Sequence, residues 1–452
     1  MELLQHECGV ALVRTSGDAV GDSVPDALHL LTLQRHRGRQ GAGLATDSLK
    51  VVKFAGDDAL NSLSACDFPQ SYRALGHIRY ATNGNNGIDA VHPFVSRNGK
   101  LALCGNFHFG RSYNCSDGQI ITDILGERIC ESSVLQALTD VLADLPGGFV
   151  LCGITADGDS FAVRDRHGIR PAYYVRTHSK LAVASERYAL QTVYPDADVH
   201  KLPPGHVIFE GKNGCCRLTR ILPEVPKAYC PFERIYFSSG KDPQIAVQRR
   251  RLGRALASRV ADYISPDEKP VLTYVPYSAE HAWQGLAEAL GDRVLPADII
   301  RKNVSGRTFL NCPNNRTDEV RNAYRLADNS SRLTGRSIIL VDDSIVRGTT
   351  FRESNLLVEL ATLQPPEIII VSSAPPVLFP DYYGIDIPVA DDLIARKALQ
   401  DNGSLDMGTL AASLMPDGFD IPVKVIYQRL EDLREILGPE YGTWVFSGDY
   451  PC

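Results

Sequence analysis

Up to about residue 220, short apolar runs alternate with Gly, Asn and Asp: Gly9-Val-Ala-Leu-Val13, Leu101-Ala-Leu-Cys104, Phe149-Val-Leu-Cys-Gly-Ile154 and Leu181-Ala-Val-Ala184. Runs of this length bounded by turn residues predict a strand-dominated region with some helices. From about residue 245 the pattern changes. Residues 246–264 and 279–290 carry helical periodicity, and 271–275, 338–341 and 368–371 read as buried strands. Helices alternating with fully apolar strands predict an α/β unit with a parallel sheet. The change falls near Pro223-Glu-Val-Pro-Lys-Ala-Tyr-Cys-Pro231, whose three prolines suit an extended connection. The expected organisation is one domain over 8–222, a linker over 223–245 and a second domain over 246–452.

Composition narrows the class. The chain has 452 residues, 44% hydrophobic and 22% charged, enough for two large cores. A net charge of −7 without a Lys/Arg-rich patch argues against a nucleic-acid partner. The longest apolar runs are strand-length, too short to span a membrane. Residues 1–7 are acidic and have no apolar signal core. Eleven scattered cysteines without a CxxC pair read as reduced thiols of a cytoplasmic protein.

The stretch Ser337-Ile-Ile-Leu-Val-Asp-Asp-Ser-Ile-Val-Arg-Gly-Thr-Thr350 carries the most chemistry. A buried strand ends at two carboxylates, and a loop of small hydroxyl residues leads into a helix. Free backbone N–H groups at such a turn can hold a phosphate monoester. Asp342 and Asp343 can take ribose hydroxyls or a hydrated Mg²⁺; as a bare pair they read first as an acidic strand-end turn, and the whole block reverses that reading. The whole block resembles the phosphoribosyl-pyrophosphate (PRPP) loop of type I phosphoribosyltransferases, in the form used by the amidophosphoribosyltransferase family.

Other segments extend that resemblance over nearly the whole chain. Cys8-Gly9, Gln34-Arg-His-Arg-Gly-Arg-Gln-Gly-Ala-Gly43, Gly76-His-Ile-Arg-Tyr-Ala-Thr82, Leu103-Cys-Gly-Asn-Phe107 and Asp165-Arg-His-Gly-Ile-Arg-Pro171 are similar to a class II glutamine amidotransferase domain. The resemblance implies an α+β N-terminal-nucleophile hydrolase fold of stacked sheets with helices, followed by an α/β phosphoribosyltransferase domain with a parallel sheet. It also implies glutamine hydrolysis by Cys8 as the mature N-terminal residue, with residues 1–7 removed as a propeptide. A thiolate is a strong nucleophile, and an α-amine titrates near neutrality and can serve as its base. Gly105 and Asn106 are the candidates for the oxyanion. Arg79 is expected on the glutamine carboxylate, Asp117 on its ammonium, and Arg37 either near the nucleophile or bracing its own turn. His77 and His92 read as packing or turn residues, and 165–171 as a structural turn.

For PRPP the resemblance implies Asp342, Asp343, Ser344, Arg347, Gly348, Thr349, Thr350, Lys302 and Arg307, with Mg²⁺ on Ser278, Asp342 and Asp343. The chain also departs from the family pattern. Cys104 stands where an oxyanion-hole Asn is usual, and Tyr277 and Ala279 replace Asp and Gly of the Val-Pro-Asp-Ser-Gly loop. The mobile loop after Lys302 is one residue short. Gly442 and Val445 occupy the positions of a CxxC that helps hold an iron–sulfur cluster in some members, so no cluster is expected. The implied reaction is glutamine-dependent formation of 5-phosphoribosylamine from PRPP. The expected partners are glutamine, PRPP, inhibitory purine nucleotides and further copies of the chain as a dimer or tetramer. The departures keep open an ammonia-dependent or half-inactive paralogue, or a non-catalytic PRPP or nucleotide sensor.

Overall fold

The computed structural model describes residues 8–15, 22–80, 87–108, 117–303, 323–385, 387 and 389–451. In the first half two sheets lie face to face. One has the order His200–Lys201, Tyr173–Arg176, Lys180–Ala184, Gly9–Thr15, Arg73–Arg79, Gly41–Thr46, Val51–Ala55. The other runs Cys216–Arg220, His206–Glu210, Ser160–Arg164, Gly148–Thr155, Leu101–His108, Phe94–Val95. Alternation within each strand decides what it covers. Val10, Leu12, Leu75, Ala102, Cys104, Val150 and Cys152 fill the space between the sheets. Ala11, Val13, Ala74 and Ile78 point the other way, under the helix Val24–Leu33. Leu101, Leu103 and Leu151 lie under Asp117–Glu131 and Val134–Leu142. Both faces of each sheet are covered, which is why the strands read as continuous apolar runs.

The second half is built on a parallel sheet in the order Leu295–Pro296, Val271–Tyr274, Ile338–Asp342, Ile368–Ser372, Val423–Tyr427. Alternate residues feed two cores, Ile338, Leu340 and Ile370 on one face and Ile339, Val341 and Ile369 on the other. The helix expected over 246–264 is two helices, Pro243–Ala255 and Ala257–Ala261. The first starts earlier because the Asp242 carboxylate accepts the Gln244 N–H at 2.8 Å, ahead of Pro243. It packs backbone to backbone on Glu280–Leu290: a Cβ at Gly253 would lie 1.8 Å from the Ala282 carbonyl oxygen.

The connection is not a solvated tether. Tyr229 bridges to Tyr441, and Glu233–Phe237 forms a π-helical turn. Phe232 and Phe237 share a core with Ile169 of the first half and Val346, Val377 and Trp444 of the second. No helix among the described residues is long and apolar enough to cross a membrane.

Candidate active sites

Strand register assembles the first site. Gly9 pairs with Ile78, which brings Cys8 beside Arg79. Cys8 shares the inter-sheet face with Val10, and His77 and Arg79 share it with Leu75. Asn106 shares it with Cys104. Val91 lies against Gly41, the partner of Arg79, and the His92 carbonyl lies against Gly43, the partner of His77. The chain from 91 to 95 therefore runs away from the Arg79 end, and Leu101–His108, antiparallel to it, runs back toward that end. Asn106 is thus nearer Cys8 than Cys104 is along that strand.

The Cys8 Sγ faces the Tyr80 carbonyl at 3.9 Å. Burial pushes its thiol up, while Arg79 and Arg37 pull the other way. Arg79 is 9% exposed, and its Nη1 has no hydrogen-bond partner among the described residues. A guanidinium left unpaired beside a nucleophile fits an incoming carboxylate. Arg37 is fully buried and committed elsewhere. It donates to the Cys8 carbonyl at 3.3 Å, to Glu186 at 3.1 Å and to Glu233 at 2.6 and 3.0 Å. It therefore braces the backbone of the nucleophile, the first of its two expected roles, with donors that Glu186 and Glu233 also engage.

The Gly105 N–H, expected to face an oxyanion, donates to His92 Nδ1 at 3.2 Å. Cys104 Sγ donates to the Gly76 carbonyl at 3.5 Å, and burial drives its thiol far up. The side chain best placed on this strand is the buried Asn106. His92 stacks on His77, centroids 4.3 Å apart. His77 is fully buried, and neither ring nitrogen has a hydrogen-bond partner among the described residues, so it is not the satisfied packing residue expected. Asp117 opens its helix, half-buried. Asp165 forms the expected turn, accepting N–H groups from His167, Ile169 and Arg170 at 3.0, 2.9 and 3.2 Å.

The second site lies at the carboxyl end of the central parallel strand, where ligands of such sheets bind. Asp342 and Asp343 are 5% and 6% exposed. Burial and the neighbouring Asp343 push Asp342 well up. Burial also raises Asp343, against the Ser278 and Ser344 hydroxyls and Arg249. Ser344 Oγ donates to Asp343 at 2.9 Å, and Ser278 Oγ donates to its other oxygen. Ser278 arrives there because Val271–Tyr274 pairs with Ile338–Asp342, Tyr274 opposite Val341. Two buried carboxylates and a hydroxyl suit a hard cation that takes its remaining ligands from water and phosphate oxygens.

Gly348 has φ 73°, and a Cβ there would lie 2.6 Å from Ile394 Cδ1. The turn needs glycine on both counts. Thr349 and Thr350 begin the helix Thr349–Arg352, earlier than Phe351. The Arg347 side chain is 11% exposed, its Nε 3.7 Å from Asp392. Lys302 ends the strand Ile300–Lys302, half-buried. Arg307 lies outside the described residues. At the tail, Gly442 and Val445 offer no ligating atom, and the Trp444 ring fills the space beside Gly442, so this segment does not fit a cluster.

Sequence reading missed the residues between the sites. Arg249 donates to the Tyr236 and Ser238 carbonyls at 2.9 and 2.7 Å, and its charge acts on Asp343. Tyr236 is pushed well up by burial, then by Asp343, Tyr80 and Asp342, groups of both sites. The only sequence signal was a charged pair, Glu233-Arg234, inside an apolar stretch.

Comparisons with known proteins cover the whole chain. A glutamine amidotransferase domain family matches residues 110–192. The chloroplastic amidophosphoribosyltransferase of Vigna aconitifolia is 30% identical over 99% of this chain and 92% of its own length. That of Bacillus subtilis is 30% identical over 87% of this chain and 84% of its own. The solved B. subtilis glutamine PRPP amidotransferase, complexed with ADP and GMP, superposes with a TM-score of 0.79 at 26% identity, covering 98% and 97% of the two chains. The solved allosteric regulatory enzyme of purine biosynthesis gives 0.78 at 25% identity, covering 98% and 96%.

Proposed function

The chain belongs to the amidophosphoribosyltransferase family, and from that premise we propose how its two sites divide the reaction. The protein is a glutamine-dependent PRPP amidotransferase, turning PRPP, glutamine and water into 5-phosphoribosylamine, glutamate and pyrophosphate at the committed step of purine synthesis. The observation that carries the division of labour is the Arg79 guanidinium beside Cys8, its Nη1 without a hydrogen-bond partner among the described residues, in a chain that also holds the Asp342–Asp343 pair.

At the first site Arg79 takes the glutamine carboxylate and Asp117 its ammonium. Cys8, freed at its own amine by loss of residues 1–7, attacks the side-chain amide carbon. The thiol proton passes through the α-amine to the departing nitrogen, ammonia leaves, and water hydrolyses the thioester. The Asn106 amide donates to the oxyanion. Arg37 fixes the Cys8 carbonyl and with it the direction of attack.

At the second site the 343–350 turn holds the 5′-phosphate, and Asp342 and Asp343 hold the ribose hydroxyls. Asp342, Asp343 and Ser278 would hold Mg²⁺, which when bound neutralises charge on the leaving diphosphate. Ammonia attacks C1 as the C1–O bond to diphosphate breaks. Free ammonia in water at neutral pH is mostly ammonium, so it must travel inside the protein, past Tyr80 and Tyr236. A B. subtilis relative binds ADP and GMP; purine nucleotide control and a homo-oligomer are part of this reading.

Glutamate release from glutamine, measured with and without PRPP and Mg²⁺, tests it. Stimulation by PRPP with matching pyrophosphate is expected. Absence of glutamate under both conditions refutes the glutamine-dependent reaction. Pyrophosphate release with ammonium alone would then identify the ammonia-dependent form, which the engaged Gly105 N–H favours.

A further inference from the structure

The loop 238–242, in the connection between the halves, is bonded toward both sites. On the glutaminase side it rests on the two carboxylates that hold Arg37. The Ser238 hydroxyl donates to Glu233 at 2.6 Å, and the Ser239 N–H donates to Glu186 at 3.2 Å. Arg37 in turn donates to Glu186 at 3.1 Å and to the Cys8 carbonyl at 3.3 Å. On the other side, His281 Nε2 donates to the Gly240 carbonyl at 2.9 Å. The approach is close, since a Cβ at Gly240 would lie 2.8 Å from that nitrogen. The ring is also held from behind: its Nδ1 lies 3.3 Å from Gln284 Oε1, which accepts from Arg250 at 3.0 and 2.8 Å. His281 stands in the first turn of Glu280–Leu290, just after Ser278, whose hydroxyl donates to Asp343.

We infer that His281 is a positioning residue for Cys8, tying the turn that receives diphosphate to the nucleophile's backbone through the Gly240 carbonyl. This rests on the two-site reading above. From Asp343 the contacts run through Ser278, His281, Gly240, Ser239, Glu186 and Arg37 to the Cys8 carbonyl. At the Cys8 end, Arg37 and Glu186 are 0% and 3% exposed, so no water stands ready to replace a lost partner. Directed bonds of this kind pass a displacement on, where apolar contacts would absorb it by sliding. The Ser278 turn must reshape when Asp343 and Ser278 take up Mg²⁺ and diphosphate, and His281 carries that change into the loop 238–242. Without His281, Arg37, Glu186 and Glu233 still hold Cys8 in place; what is lost is its response to the second site.

The test uses the full-length protein with His281→Leu, His281→Gln and Gly240→Ala. The readout is the ratio of glutamate release with PRPP and Mg²⁺ to release without them. His281→Leu should cut that ratio about five- to tenfold, the scale of one hydrogen bond. Unstimulated glutamate release and ammonium-driven pyrophosphate release should both stay within about twofold of wild type. His281→Gln brings an amide N–H to the place of Nε2 and should restore most of the ratio. Gly240→Ala crowds the ring and should reproduce the loss, and the double variant with His281→Leu should lose no more than either alone. Amide hydrogen exchange in Gly9–Thr15, with and without inorganic pyrophosphate and Mg²⁺, reads the tie without turnover: it should slow in the wild type and not in His281→Leu. A full ratio in His281→Leu overturns the inference. So does an equal loss in His281→Gln, which would mark a packing role. A matching fall in ammonium-driven pyrophosphate release overturns it too, placing His281 at the PRPP site itself. No glutamate from the wild type refutes the glutamine-dependent reading, and the exchange measurement still decides the role of His281.

Discussion

His77 makes the stability of the first domain sensitive to mild acid. Its ring is fully buried against His92, with neither nitrogen hydrogen-bonded among the described residues. Burial, then the nearby Arg79 charge, pushes its pKa down to about 3 from the usual 6.5. Below pH 6.5 the unfolded chain takes up a proton that the folded chain refuses. Stability is therefore whole above pH 6.5 and falls as pH drops toward 3. Each unit of difference is worth about 1.36 kcal/mol, so His77 alone removes about 2 kcal/mol between pH 7.5 and pH 5. His92 is lowered as well and adds in the same direction. Both tryptophans, Trp283 and Trp444, lie in the second half, so their fluorescence does not report on this domain. Amide hydrogen exchange in Arg73–Arg79 and Leu101–His108, corrected for the intrinsic rate at each pH, measures the opening free energy where it matters. His77→Phe keeps a ring against His92 and cannot titrate; it should flatten the pH dependence by about 2 kcal/mol over that interval. A wild-type loss below about 0.5 kcal/mol, or an identical loss in the variant, would refute the reasoning.

Arg37→Ala leaves Glu233 buried without its cation and Glu186 with His36 alone, and should cost about 3–5 kcal/mol in urea unfolding; replacing Glu233 by Gln in the same chain should return part of it. Asn106→Ala should lower the glutaminase kcat roughly 10²–10³-fold at similar glutamine KM, whereas Cys104→Ala should change it only a few-fold. The reverse order would return the oxyanion role to the Cys104 position. Gly348→Ala forces a side chain into a left-handed turn and against Ile394, and should raise the PRPP KM on the order of tenfold or more, read in the ammonium-driven reaction.

The PRPP loop was legible because its chemistry is contiguous: a strand, two carboxylates and a glycine turn within 337–350 need only local rules to become a site. The parallel sheet was legible too, since strands buried on both faces cannot hide their apolar runs. The glutaminase site was half legible. Cys8 and Arg79 stand out as residue types, but their adjacency is a matter of register between Gly9 and Ile78. That Asn106 and not Cys104 lies toward the nucleophile depends on the direction of the opposing sheet. The commitment of the Gly105 N–H to His92 depends on a side chain 13 residues away. The unsatisfied His77 ring could not be anticipated, because burial and partners belong to the assembled sandwich.

Least visible was the junction, where prolines suggested an extended connection and the structure has a buried polar lattice. Arg37 bonds Glu233 across 196 positions, and Ser238 Oγ donates to Glu233 at 2.6 Å. The Ser239 N–H reaches Glu186 at 3.2 Å, and Arg187 pairs with Asp242. All of these charges but Arg187, whose side chain is 18% exposed, are out of water, so separating the halves by even a few ångströms would leave buried carboxylates or guanidinium groups unpaired, at several kcal/mol per break. Hydrophobic contact alone tolerates sliding, but a lattice of directed ion pairs does not. The polar junction therefore fixes the distance and angle between Cys8 and Asp343, as the proposed transfer of ammonia from one to the other requires.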